Sequence, residues 1–204
     1  MIHVASPFVV EEPRDEMELI RPAVEGTRSV MQAAYNAGVK RICITSSFAS
    51  MMFATGPDGP PEVYNESHWS DPNAPTIPAY EKSKTLAERA AWDFLENMQT
   101  QEHRMELTTI NPGFIVGPTF VNTDFASGKI AKMFLNNEFP GGVPFIKMAM
   151  VDVRDVAQAH VNCIGSDEAQ GKRFLLVNEA LWMREIGTIL HNEFGNQGYN
   201  IPTN

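Results

Sequence analysis

The order of strand-like and helical runs constrains this chain more than any other feature, because short apolar runs that alternate with helices pair in parallel through crossover connections. Ile2 to Ser6 is a brief apolar run ending in Ser-Pro, which suits a buried central strand better than an alternating edge. From Asp15 to Ala37, Met17, Ile20, Val24, Val30, Met31 and Ala34 recur at helical spacing. Pro22 marks a start or a kink there, and Gly38 stops the run as a C-terminal cap. Val39 to Ser47 is strand-like and ends in two serines, and Phe48 to Pro78, rich in Pro, Gly, Asn and Asp, reads as a long loop with one turn of helix. Ala79 to Met98 is a helix with Leu86, Ala90, Phe94 and Leu95 on one face, followed by a strand from Met105 that Asn111-Pro-Gly113 breaks.

The rest of the chain continues the alternation. Thr119 to Phe145 reads as a helix around Ile130 to Leu135 with irregular flanks and a turn at Pro140-Gly-Gly142. Asp152 to Cys163 is a capped helix, Arg173 to Val177 a strand and Met183 to Phe194 an amphipathic helix. The order predicts an α/β fold, a doubly wound parallel sheet forming one domain over residues 1–204. Ligands of such sheets sit beyond the C-terminal strand ends, so the segments 48–78 and 119–150 are the expected pocket walls.

Charge and composition exclude several classes. A net charge of -9 argues against a phosphate-binding surface for nucleic acid, and no apolar run approaches the roughly 20 residues that span a bilayer. The first ten residues lack the basic start of a secretory signal, so a cytoplasmic setting is expected. Cys43 and Cys163 lack metal-ligand spacing and read as small buried apolar residues. His3, His68, His103, His160 and His191 form no ligand pattern and are expected to play structural roles. Met51 and Met52 either line a substrate pocket or pack the loop.

One pair of residues points to chemistry. Tyr80 and Lys84, four apart, share a face of the helix from Ala79 to Met98. With a hydroxyl from the serine-ended strand nearby, that face has the means to hand a proton to a carbonyl oxygen while a bound cofactor delivers hydride. A tyrosine that titrates at about 10 needs a positive charge to stabilise its phenolate, and Lys84 is placed to supply it. On its own the pair is more often a feature of an amphipathic helix than of a site.

Six blocks taken in order change that balance: Ile2-His-Val-Ala-Ser-Pro7, Pro22-Ala-Val-Glu-Gly-Thr27, Thr45-Ser-Ser47, Tyr80-Glu-Lys-Ser-Lys-Thr-Leu-Ala-Glu88, Asn111-Pro-Gly113 and Val151-Asp-Val-Arg-Asp-Val-Ala157. Together they resemble the extended short-chain dehydrogenase/reductases, the NAD-dependent epimerase/dehydratase superfamily, from residue 2 to about 195. Within that superfamily the likeness is to the dihydroflavonol, cinnamoyl-CoA and NADPH-dependent aldehyde reductases. The resemblance implies a Rossmann-like fold and an NADP-dependent oxidoreductase acting on CH-OH groups, with a small carbonyl compound, aldehyde or ketone, as substrate. It makes Tyr80 the general acid and Lys84 the residue that supports it and holds the ribose hydroxyls. Ser47, in preference to Ser46, orients the carbonyl oxygen. It also implies cofactor contacts at Ala5, Ser6, Tyr80, Lys84, Pro112, Gly113, Phe114 and Ile115, and at Ser127 where a phosphate is approached. NADPH is the implied cofactor, with NAD as the alternative.

The chain departs from that family in having no G-x-G-x-x-G among its 14 glycines. About two βαβ units of roughly 30 residues would supply the phosphate turn and the strands beside Ile2. The fold is therefore expected to be incomplete, shortened at both ends and impaired in activity as it stands. An unpaired sheet edge at Ile2 would invite self-association. Two other readings stay open: a nucleotide-sugar epimerase or dehydratase, which shares the Tyr-Lys pair but which Asn111-Pro-Gly-Phe-Ile-Val-Gly-Pro118 disfavours, and a non-catalytic remnant or binding module.

Overall fold

The computed structural model describes residues 1–7, 13–55, 59–98, 104–120, 126–139 and 141–204. They divide into two compact units, 1–112 with 156–176 and 113–155 with 177–204. His103 and Pro140 lie outside the described residues.

The first unit is built on a parallel sheet in the order β1 (Ile2–His3), β2 (Arg41–Thr45), β3 (Glu106–Pro112), β6 (Arg173–Leu176). Strand alternation sorts the β2 side chains. Ile42 and Ile44 face the helices α1 (Met17–Asn36) and α2 (Ala79–Met98), where they join Met31, Ala34, Ala91, Met105 and Leu107 in the core. Cys43 and Thr45 turn the other way, toward the helix α4 (Val153–Gly165): the Cys43 and Cys163 thiols meet, and Thr45 Oγ1 lies 2.7 Å from His160 Nε2. His160 Nδ1 is 2.7 Å from the Val156 carbonyl, so both ring nitrogens are satisfied and the imidazole is structural. Burial, then the neighbouring thiol, pushes Cys43 up to about 12, which leaves it inert.

Local signals end the helices where the residues demand it. Gly38 at φ 70° closes α1, with Val39 N donating to the Ala34 carbonyl at 3.0 Å. Pro22 is accommodated inside α1 rather than starting it. The expected buried strand at Ile2 is a two-residue edge strand instead, with Ile2 46% and Val4 63% exposed. The physical reason is that β2 is its sole neighbour among the described residues, and burial of a parallel strand needs a partner on both sides.

In the long loop a 3-10 turn, Phe48–Ser50, is pinned by Ser70. Ser70 Oγ donates to the Ala49 carbonyl at 2.8 Å and accepts from Phe53 N at 2.9 Å. Met51 is fully buried beneath it, which makes it loop packing, whereas Met52 is 39% exposed.

The second unit holds β4 (Phe114–Val116), β5 (Lys147–Asp152) and β7 (Glu179–Trp182), in the order β4-β5-β7. β4 and β5 are parallel but β5 and β7 are antiparallel, a correction to the expectation of parallel pairing throughout. The Asn-Pro-Gly sequence ends the strand where expected: β3 closes at Pro112, and after Gly113 the separate strand β4 begins at Phe114 in the other sheet. A Cβ on Gly113 would come 2.3 Å from the Ala149 carbonyl oxygen, so only glycine allows this approach of β4 to β5. The helices α3 (Ala126–Leu135) and α5 (Met183–Phe194) enclose a core of Phe134, Met183 and Ile201.

Candidate active site

The site assembles where β2 ends and α2 begins. Ser47 leaves β2 in extended conformation and caps the 3-10 turn, its Oγ accepting from Ala49 N at 3.1 Å. Tyr80 lies in the first turn of α2 and is hydrogen-bonded to the Ser47 side chain. Lys84, one turn on, is only 9% exposed, with Nζ 5.6 Å from the centre of the Tyr80 ring. Lys82, between them, points elsewhere and pairs with Glu16 at 2.8 Å.

Burial governs the protonation of both groups. It raises the Tyr80 phenol above its ordinary value; the Ser47 hydrogen bond pulls back and the Glu81 charge adds to the rise. Lys84 was expected to lower this value, but burial outweighs any such pull, and the counterweight is Ser47. Burial also brings Lys84 down to about 8, and no carboxylate opposes it among the described residues. A buried amine without an anionic partner is suited to hydroxyl ligands, which fits a ribose. Its charge reaches His3, whose imidazole is lowered first by burial and then by Lys84, so the end of β1 lies beside the site.

Ala5 and Ser6 follow β1 and are exposed. With His3 opposite Ile44 and Ile110 opposite Thr45, they and Pro112 fall at the same C-terminal sheet end as Ser47. Gly113, Phe114, Ile115 and Ser127 belong to the second unit: Ile115 pairs with Val151 in the sheet, and Ser127 sits in the first turn of α3. Asp152 caps α4, accepting from Arg154 N at 2.8 Å, and is paired with the Arg154 side chain. Surface hollows of about 680 and 350 Å³ are lined by other residues, around Gln32 and Asp93 and around Ala159 and Phe174.

Sequence reasoning missed the carboxylate behind the serines. Glu88, fully buried, accepts from Ser46 Oγ at 2.5 Å, Ser50 Oγ at 2.6 Å, Asn111 Nδ2 at 2.7 Å and Arg173 Nε at 2.6 Å. Ser46 is thus turned away from Tyr80 and into this network. Burial alone would raise Glu88, but the Arg173 guanidinium and the serine hydroxyls bring it below its ordinary value. Arg173 stacks on Trp69, 3.7 Å from the ring centre, and donates to the carbonyls of Glu66 and His68. A signal was available: Glu88 continues the i, i+4 row of Tyr80 and Lys84 onto a face that packs against the sheet.

The family model described as the 3-beta hydroxysteroid dehydrogenase/isomerase family matches residues 1–183. This chain belongs to that family. Among its relatives, the NADPH-dependent methylglyoxal reductase GRE2 of Saccharomyces cerevisiae is 30% identical over 99% of this chain and 63% of that protein. Cinnamoyl-CoA reductase 1 of Petunia hybrida is 34% identical over 100% of this chain and 57% of that one. The crystal structure of yeast methylglyoxal/isovaleraldehyde reductase Gre2 complexed with NADPH superposes with a TM-score of 0.84 at 28% identity, covering 99% of this chain and 63% of that chain. The resemblance to extended short-chain reductases and the Rossmann-type α/β architecture both agree with these matches. The family member described here spans less than two thirds of the length of these three relatives.

Proposed function

We propose that this chain carries the proton-donating, ribose-holding part of an NADP-dependent oxidoreductase that acts on CH-OH groups, reducing an aldehyde or ketone to the alcohol. The observation that carries the reading is the Ser47–Tyr80 hydrogen bond beside a buried lysine that has no anionic partner among the described residues. NADPH, when bound, supplies hydride to the carbonyl carbon. When the carbonyl compound binds, Ser47 turns its one hydroxyl proton from Tyr80 to the carbonyl oxygen, and Tyr80 gives that oxygen its proton, completing the alcohol. Lys84 holds ribose hydroxyls through its ammonium protons. Ala5, Ser6 and Pro112 line the cofactor's path in the first unit, while Gly113, Phe114, Ile115 and Ser127 are cofactor contacts by resemblance alone. NADPH is favoured over NAD because the yeast relative is NADPH-dependent.

Other parts of the reading are proposals of the same kind. The segments 48–78 and 119–150 are substrate-contact segments, each in its own unit. A cytoplasmic setting is supported by two buried cysteines that stay unbridged. The exposed Ile2 on the edge strand and Val4 just after it support self-association through this edge, which sedimentation of wild type and Val4→Lys would test; equal sedimentation would remove the idea.

The central test is calorimetric titration of the folded 204-residue protein with NADPH and NADH, followed by an aldehyde screen. Binding that Lys84→Met abolishes, with turnover reduced about 100-fold or more by Tyr80→Phe, supports the reading. Binding unaffected by Lys84→Met, or equal turnover by Tyr80→Phe, would overturn it. A folded chain that binds neither nucleotide would favour the non-catalytic reading.

A further inference from the structure

We propose that Glu88 is a positioning residue for Ser47: a buried carboxylate, neutralised by Arg173, that orders the serine-bearing turn against Tyr80. The proposal rests on Ser47 and Tyr80 being the proton-donating pair. Its basis is the convergence of hydrogen bonds from a single turn. Ser46 Oγ and Ser50 Oγ, which flank Ser47, both end on Glu88 Oε2, at 2.5 and 2.6 Å. The Ser47 carbonyl has three donors in reach: Ser50 N at 3.1 Å, Ser50 Oγ at 2.9 Å and Asn111 Nδ2 at 3.2 Å.

Proton counting shows how the carboxylate controls that carbonyl. Ser50 Oγ has one proton, and the shorter contact to a charged acceptor takes it, so it goes to Glu88. Asn111 Nδ2 has two. Glu88 Oε2 takes one at 2.7 Å, which fixes the amide so that the other is left for the Ser47 carbonyl and Ser50 Oγ. Glu88 Oε1 is held by Arg173 Nε at 2.6 Å, Thr109 Oγ1 at 3.1 Å and Trp92 Nε1 at 3.3 Å, so the carboxylate itself has little freedom to rotate. Ser47 thus has a fixed backbone on one side and a capping bond to Ala49 N on the other, and its hydroxyl proton is left for Tyr80.

A stabilising role alone accounts for less of this. Buried ion pairs contribute little net stability compared with apolar replacements of equal volume, and their best-attested use is to fix one arrangement among several. Here the arrangement fixed is that of the serine-bearing turn. Glu88 faces Arg173 from β6, and Tyr80 faces Lys84 and Glu81 on its own helix and Ser47 from the turn after β2.

Glu88→Gln tests the proposal, because the amide cannot satisfy the same partners. Whichever way it turns, its NH2 meets a donor, Asn111 Nδ2 on one side or Arg173 Nε on the other. The readout is the titration of Tyr80, followed by fluorine NMR of protein carrying 3-fluorotyrosine, with Tyr80 assigned by the signal missing in Tyr80→Phe. Ser47→Ala is the reference and should shift the Tyr80 titration upward, since it removes the bond that lowers it. The proposal expects the same upward shift in Glu88→Gln and no further shift in the double variant. A Glu88→Gln protein that melts lower but titrates Tyr80 as wild type does would overturn it, leaving Glu88 as scaffold. No shift in Ser47→Ala would instead sink the Ser47–Tyr80 reading, and with it the proposal. If Glu88→Gln does not fold, Ser50→Ala removes one of the two flanking hydroxyls and should give a partial shift in the same direction; an unmoved titration there refutes the proposal equally.

Discussion

Replacing Lys84 by Met should make this protein more stable. The amine is 9% exposed, faces no carboxylate among the described residues and is brought from 10.5 to about 8 by burial. That displacement is worth about 3 kcal/mol against the charged native state. The attraction of the ammonium to the Tyr80 ring offsets roughly 0.5–1 kcal/mol of it. Met keeps the length of the stem without the charge, so a net gain of about 2 kcal/mol is expected at pH 7. The sign of the pH dependence follows from linkage. The unfolded lysine binds its proton up to its ordinary value and the native one releases it from about 8, so the cost is complete below about 8 and is relieved as pH rises toward 10.5. Between pH 7 and pH 9 the advantage of Lys84→Met should therefore shrink by about 1.4 kcal/mol. Cys43 acts in the opposite direction: its native thiol keeps a proton that the unfolded chain loses above 9, so stability falls as pH climbs toward 12. That effect is common to both proteins and cancels in the difference. Urea unfolding followed by circular dichroism, with matched slopes, gives the two stabilities. A Met variant less stable than wild type at pH 7, or an advantage equal at both pH values, would refute the account of Lys84 as a buried, unpaired cation.

Removing Arg173 as Arg173→Leu orphans the Glu88 carboxylate and should cost about 3–5 kcal/mol in the same assay at pH 7. The deficit should shrink on acidification, because protonating the orphaned group relieves it; a deficit below about 1 kcal/mol would mean that the pair is open to water. In the second unit a Cβ on Gly187 would meet the Pro202 carbonyl oxygen at 2.3 Å and Phe134 Cε1 at 2.9 Å. Gly187→Ala should accordingly lower stability by roughly 1–3 kcal/mol, and an unchanged melting temperature would show that the segment around Ile201 yields freely. Gly113→Ala forces β4 away from the Ala149 carbonyl and should cost a similar amount, roughly 1–3 kcal/mol. Amide exchange should speed up at Ile115 and Val151, and protection equal to wild type would contradict the close approach.

What the sequence made legible follows the range of the interactions involved. The bounds of α2 and α5, Ala79–Met98 and Met183–Phe194, could be read directly, because helical periodicity and capping act within a few residues. At β1 the burial expected from its apolar run fails and the unpaired edge expected at Ile2 stands, because burial depends on which strand lies on the far side. β4, β5 and β7 went unread for a related reason. Glu179-Ala-Leu-Trp182 has as much helical as strand character, and it is extended because β5 pairs with it.

The site divides in the same way. Tyr80 and Lys84 share one turn of one helix, so their spacing revealed them, whereas Glu88 and Arg173 meet only after the sheet forms. The charge logic reached too far from sequence alone, since burial sets the Tyr80 and Lys84 values and burial is a tertiary quantity. An acid continuing the i, i+4 row of Tyr80 and Lys84 onto a packed helix face is expensive to keep there unpaired, which makes a distant cation to match it a reasonable expectation. Arg173, the first residue of β6, is the cation that meets Glu88.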